Sequence, residues 1–155
     1  MVKRRNKKNI NNMEKFKIYL DFDGTVVEHD YPNIGRCNFG CFEVIKKLQD
    51  AGHEIILNTY RIECDKESFE QAQRYLNETY WHFSKDKHIE LQPILKHTAT
   101  KFNPVIWDWN IMKQTKEIWI DDIANNIPIK PCVMMTDNMV DWDELDKQFK
   151  ENDLY

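Results

Sequence analysis

An α/β fold built on a mainly parallel sheet is predicted by three features of the chain. Short apolar runs at residues 16–20, 55–57 and 118–120 each give way to polar residues on their carboxyl side. The stretches between them show helical spacing, and 155 residues suit one domain with a real core but leave no room for a sizeable second one. Alternating buried strands and amphipathic helices form a sandwich in which ligands sit at the carboxyl ends of the strands.

Residues 16–20 read as the first strand. In residues 42–49, Phe42, Val44, Ile45 and Leu48 recur at helical spacing, and Ala51-Gly52 supplies the stop. The run Ile55-Ile56-Leu57 within 53–58 is continuous, as in a strand buried on both faces of a parallel sheet. Residues 65–80 are expected to be helical, with Phe69, Ala72, Tyr75 and Leu76 on one face and Asp65 near the start. From 82 to 110 the pattern blurs around Pro93 and Pro104, which predicts loops with short strand or helix pieces. Residues 117–122 read as a strand ending in acids, 132–135 as a further strand and 141–150 as a terminal helix. The tryptophans at 81, 107, 109, 119 and 142 are expected at the core and its rim.

Composition narrows the function classes. Hydrophobic residues at 41% and charged residues at 31% are ordinary for a soluble globular protein, and no apolar run is long enough to span a bilayer. Residues 1–12 hold five of the 22 basic residues and none of the 26 acidic ones, so the remainder carries about −9 and repels polyanions. We expect 1–12 to be a basic, disordered tail with no secretory core, and 13–155 to be a single domain. Nucleic acid would have to bind through that tail and is not favoured. The cysteines Cys37, Cys41, Cys64 and Cys132 form no C-x-x-C pair, which fits reduced thiols in the cytoplasm; a zinc site with His53 or His97 lacks the paired spacing.

The most specific signal is Asp21-Phe22-Asp23-Gly24-Thr25, two carboxylates and a tight turn directly after a strand. Thr59 follows the second strand, and Asp121 and Asp122 follow the later one. Such carboxylates repel one another unless a cation neutralises them, and oxygen-only ligands favour a hard ion such as Mg²⁺. A calcium loop starting at Asp21 fails, because its sixth position is Val26 and its twelfth Pro32. A receiver domain would carry its acidic pair on the first strand rather than the last. With four glycines in the chain there is no glycine-rich phosphate loop.

In this order the motifs resemble those of the haloacid dehalogenase-like (HAD) superfamily: DFDGT at 21–25, the threonine of LNTYR at 57–61, a lysine, and IDD at 120–122. The resemblance implies a HAD-like, Rossmann-like three-layer α/β/α sandwich and a capless or minimally capped phosphatase acting on a phosphorylated substrate of unassigned class. It implies Asp21 as nucleophile, Asp23 as acid and base with its backbone carbonyl on Mg²⁺, Thr59 on a phosphoryl oxygen, and Asp121 and Asp122 at the metal. For the lysine, Lys113 stands eight residues before Asp121, as in small relatives, with Lys101 in reserve. Lys116 lies roughly 16 Å of extended strand from Asp121, which argues against it. Arg61, His29 and Tyr31 are expected in surface or local packing roles, although the loop that holds His29 and Tyr31 could cover the site. Two alternatives remain open: a non-catalytic HAD-fold binding protein, and a 3′-phosphatase for nucleic-acid ends that uses the basic tail.

Overall fold

In chain order the elements are β1 (Lys17–Leu20), α1 (Cys41–Asp50), β2 (Glu54–Leu57), α2 (Arg61–Cys64), α3 (Lys66–Asn77), the hairpin strands β3 (His82–Ser84) and β4 (Lys87–Ile89), α4 (Trp109–Thr115), β5 (Glu117–Ile120), a second hairpin of β6 (Ile129–Pro131) and β7 (Asn138–Val140), and α5 (Trp142–Glu151). This computed structural model describes residues 14–77, 82–84, 87–98, 105–134 and 136–155. The basic tail, Trp81 and Lys101 lie outside the described residues.

The central sheet runs β2-β1-β5 and is parallel throughout. Its register fixes the location of the site. Leu20 is level with Leu57 on one side and Ile120 on the other, so all three strands stop together. Hydrogen bonds continue one residue past those ends, from the Asp21 amide to Ile120 O at 2.9 Å and from the Asn58 amide to Leu20 O at 2.8 Å. Ile18, Leu20, Ile118 and Ile120 are buried, while Tyr19 and Trp119 stack on the other face with ring centroids 4.0 Å apart. Ile55, Ile56 and Leu57 are all buried, as their unbroken run predicts. Residues 96–98 extend the outer edge of β2, with the Leu57 amide donating to Lys96 O and the Thr98 amide to Leu57 O.

Helices flank this sheet. α1 buries Cys41, Phe42, Val44, Ile45 and Leu48, and Gly52, at φ 88°, turns the chain toward β2 in a left-handed conformation that side-chained residues resist. The helix expected over 65–80 occurs as α3, capped by Asp65, whose Oδ1 accepts the Ser68 amide at 2.7 Å. The turn before it is a separate short helix, α2. α5 buries Trp142, Leu145 and Phe149 completely, and Asp141 caps it by accepting from the Glu144 amide at 3.3 Å. The indole N–H groups of Trp107 and Trp109 both donate to Gln148 Oε1, at 2.8 and 2.9 Å, tying the segment before α4 to α5.

One expected strand is misplaced by the sequence reading. Residues 132–134 form a bend between β6 and β7, closed by the Cys132 amide on Asp137 O at 2.9 Å. The strands lie on either side of it, with Ile129 opposite Val140 in antiparallel register. The apolar run Cys132-Val133-Met134 looked like a strand core, yet Val133 and Met134 are exposed and their amides donate to Glu28 Oε1. His53 has a packing role: Nδ1 accepts the Phe16 amide at 3.1 Å and Nε2 donates to Leu154 O at 2.8 Å. All four cysteines are free thiols. Among the described residues, no helix is long and apolar enough to cross a membrane.

Candidate active site

Because the three parallel strands end level, the residue after each one faces the same edge of the sheet, and these are Asp21, Asn58 and Asp121. One ligand oxygen from each of Asp21, Asp121 and Asp122 lies within 4.8 Å of the others. Three of the four carboxylates expected at a metal are thus grouped, and Asp23 is not among them.

The loop after β1 is folded tightly to present these groups. The amides of Thr25 and Val26 return to Phe22 O at 3.2 and 2.9 Å, and the Gly24 amide reaches Val27 O at 2.8 Å. Gly24 is at φ 77°, and a Cβ there would sit 2.1 Å from His29 Nε2 and 2.8 Å from Asp122 Oδ2. Glycine is therefore required twice, by the backbone and by the His29–Asp122 contact, whose atoms are 2.8 Å apart. From behind, the loop is held by its Thr25 carbonyl, which accepts from Asn38 Nδ2 and from the buried Trp142 indole, both at 2.8 Å. The Thr25 hydroxyl donates to Asp21 Oδ2 at 2.9 Å and orients that carboxylate.

The charges in this cluster are not balanced from within. Burial, then the Asp121 and Asp122 carboxylates, push the Asp21 carboxyl well above the ordinary range, against the opposing pull of the Thr25 hydroxyl and the Phe22 amide. Burial, together with the Asp122 charge, pushes Asp121 up to about 6 despite the hydrogen bond from the Ile123 amide. An oxygen-only set held this close fits a divalent cation, which would remove the repulsion.

Asp23 stands apart from the three. Both of its oxygens are taken by Arg61, with Nε to Oδ2 and Nη2 to Oδ1 each at 2.7 Å. Any contact between Asp23 and a metal in the cluster would therefore have to come from its backbone carbonyl. Arg61 is 1% exposed and spends its other donors on the carbonyls of Pro32 (3.1 Å), Ser68 (3.3 Å) and Asn33 (2.7 Å). All five guanidinium N–H groups thus have acceptors. Its guanidinium carbon also lies 5.2 Å from the Phe22 ring centroid and 5.1 Å from that of Tyr31.

A cleft of about 420 Å³ opens over these groups, lined by Asp21, Asp23, Thr59, Asp121 and Asp122 together with residues that the sequence reading assigned to surface or packing roles. Arg61, His29 and Tyr31 all line it, and Tyr60, Cys64 and Ile123 complete the wall. Arg61 had one available signal: it follows Thr59 by two residues at the end of a predicted strand, so a helical turn there brings its side chain back toward the strand ends. Thr59 is buried, and its Oγ1 accepts the Arg61 amide at 3.2 Å.

Lys113 is not brought to the cleft. It is exposed on α4, which runs back along β5: Trp107, before the helix, bonds Asn125 beyond the carboxyl end of β5, while Lys116, after it, bonds Lys17 at the amino end. The spacing of eight residues is consumed by that descending helix, which leaves Lys113 toward the wrong end of the strand. Lys116 pairs with Glu14 at 2.6 Å at the amino end of the sheet, as expected of a residue that precedes β5.

No protein-family model matches the chain, and no curated protein matches it. Among solved structures, a conserved protein from Bacteroides thetaiotaomicron is 28% identical to this chain, covering 66% of it and 93% of that protein, with a TM-score of 0.38. The functional reading therefore rests on the residues of the site.

Replacing Arg61 with Met should cost about 3–5 kcal/mol in urea unfolding, because Asp23 would keep a part-buried charge without its partner; a loss below about 1 kcal/mol would contradict the clamp. The acidic cluster gives a second prediction. In metal-free protein the Asp121 carboxyl, raised to about 6, binds more protons folded than unfolded, so its contribution is complete below about 3.8 and is lost as pH rises through about 6, and the buried Asp21 carboxyl is raised in the same direction. Mg²⁺ should therefore raise the Tm relative to EDTA strongly at pH 7 and weakly at pH 5. Equal shifts at the two pH values would show that the cluster is not where the ion binds.

Proposed function

We propose that the protein is a Mg²⁺-dependent phosphohydrolase that cleaves phosphomonoesters through a phosphoryl group carried on Asp21. The observation that carries this reading is the shared cleft, in which the crowded carboxylates of Asp21, Asp121 and Asp122 adjoin a second, separately clamped carboxylate, Asp23. The carboxylates of Asp21, Asp121 and Asp122 would hold the cation. When bound, Mg²⁺ would neutralise the cluster and polarise a phosphoryl oxygen.

The residues divide the remaining work. Asp21, oriented by Thr25, attacks phosphorus; an Asp21 O–P bond forms while the bond from phosphorus to the ester oxygen breaks. For Asp23 to protonate the departing oxygen, one of its two Arg61 hydrogen bonds must open so that the freed carboxyl oxygen can carry the proton; the resulting carboxylate then takes a proton from the water that attacks phosphorus and frees Asp21. Two requirements support this division. The nucleophile must face the cation and the acid must face the leaving group, and the two aspartates have different partners, the carboxylate cluster for one and Arg61 for the other. Thr59 is the hydroxyl in the cleft suited to a phosphoryl oxygen. The excess negative charge of the chain outside the tail disfavours a nucleic-acid substrate.

Phosphate release measured with Mg²⁺ should vanish in Asp21→Asn and in EDTA. Asp23→Asn should slow phosphate release from alkyl phosphates by about 10²–10⁴-fold, the usual worth of a general acid, whereas p-nitrophenyl phosphate, whose leaving group departs without a proton, should still give a rapid burst of nitrophenolate ahead of slowed phosphate release. Full activity in Asp21→Asn would overturn the reading.

A further inference from the structure

The lining of the cleft combines two chemistries: the carboxylates with Thr59, and the less polar side chains of Tyr31, Tyr60, Cys64 and Ile123. Tyr31 is held in place, its hydroxyl donating to Asp65 Oδ2 at 3.2 Å and its ring lying over Arg61, yet it remains 47% exposed. Tyr60, 53% exposed, follows Thr59 directly and lines the same cleft; Ile123, 68% exposed, follows the acidic pair after β5 and lines it too. Exposed aromatic rings with one fixed edge are good stacking surfaces for flat groups.

Charge narrows the choice further. Among the described residues, the basic side chains lining the cleft are Arg61 and His29. Arg61 has all its donors engaged, and His29 Nε2 is on Asp122. A second phosphate or a carboxylate on the substrate would meet no available cation among these residues and would face the acidic cluster instead. The volume of about 420 Å³ suits a ligand the size of a nucleotide or an aryl phosphate.

We propose, building on the phosphohydrolase reading, that the substrate is a monophosphate ester of an uncharged alcohol bearing a flat ring, which packs against Tyr60 and Tyr31 while its single phosphate meets Asp21 and Thr59. A nucleoside monophosphate and a neutral aryl phosphate share this chemistry. Esters without a ring, and bisphosphates, lack one of the two required features.

The test uses the full chain loaded with Mg²⁺ and measures kcat/KM for adenosine and uridine 5′-monophosphates, phenyl phosphate, glycerol 3-phosphate and fructose 1,6-bisphosphate. The ring-bearing monophosphates should exceed glycerol 3-phosphate by tenfold or more, and the better of the two kinds names the source. Tyr60→Ala should narrow that ratio by about tenfold, through KM, and Tyr60→Phe should restore it. Preference for glycerol 3-phosphate or the bisphosphate, or a ratio that Tyr60→Ala leaves unmoved, would overturn the proposal. Dissociation constants for the same compounds on Asp21→Asn protein, which cannot form the adduct, read recognition without turnover. Selective binding of ring-bearing monophosphates by a protein that hydrolyses none of them would uphold this inference and sink the phosphohydrolase reading. Hydrolysis that needs Asp21 but ignores the ring would do the reverse.

Discussion

Crowding of like charge at the ends of parallel strands is the constraint around which this molecule is arranged. Two unit charges about 4.8 Å apart repel by about 3.5 kcal/mol at an effective dielectric constant near 20. Three such groups, with no lysine or arginine bonded to them among the described residues, make the cluster costly without a cation. The fold tolerates this because the register of the sheet leaves no freedom to separate them: β1 is paired on both sides, and its end is level with both neighbours.

The surrounding structure reads as support for that edge. Trp142 and Asn38 hold the carbonyl of Thr25, and Thr25 in turn holds Asp21. Arg61 links Asp23 to the carbonyls of Pro32, Asn33 and Ser68, so one buried cation ties the loop after β1, the loop near residue 32 and the start of α3 together. A buried arginine with every donor matched is consistent with rigid placement, since each unmatched N–H would carry a desolvation cost. The same saturation gives Arg61 a structural task and removes it as a free anion-binding group.

Much of this was legible in the chain. The strands at 16–20, 53–58 and 117–122, the helices flanking them and the acidic residues at the carboxyl ends follow from periodicity and from the general rule for parallel sheets, and these elements occur within a few residues of where they were expected. What failed depended on non-local geometry. Residues 132–134 are apolar enough for a strand, but the Val133 and Met134 amides are captured by Glu28, more than a hundred residues away in sequence. Lys113 was chosen by counting back from Asp121, and counting does not reveal that the intervening helix runs down β5 and away from the cleft. The packing role expected for Arg61 is the one it has, but its place in the cleft wall is not legible in the chain, because its acceptors come from three separate segments that no local pattern connects.

The most direct measurement is rapid acid quench of the Mg²⁺-loaded protein during turnover of a phosphomonoester, followed by peptide mass spectrometry. The account predicts a transient adduct of one phosphoryl group on the peptide containing Asp21, located on that side chain and accumulating further when Asp23 is replaced by Asn. Phosphate release without any adduct at Asp21, or an adduct on another residue, would contradict it.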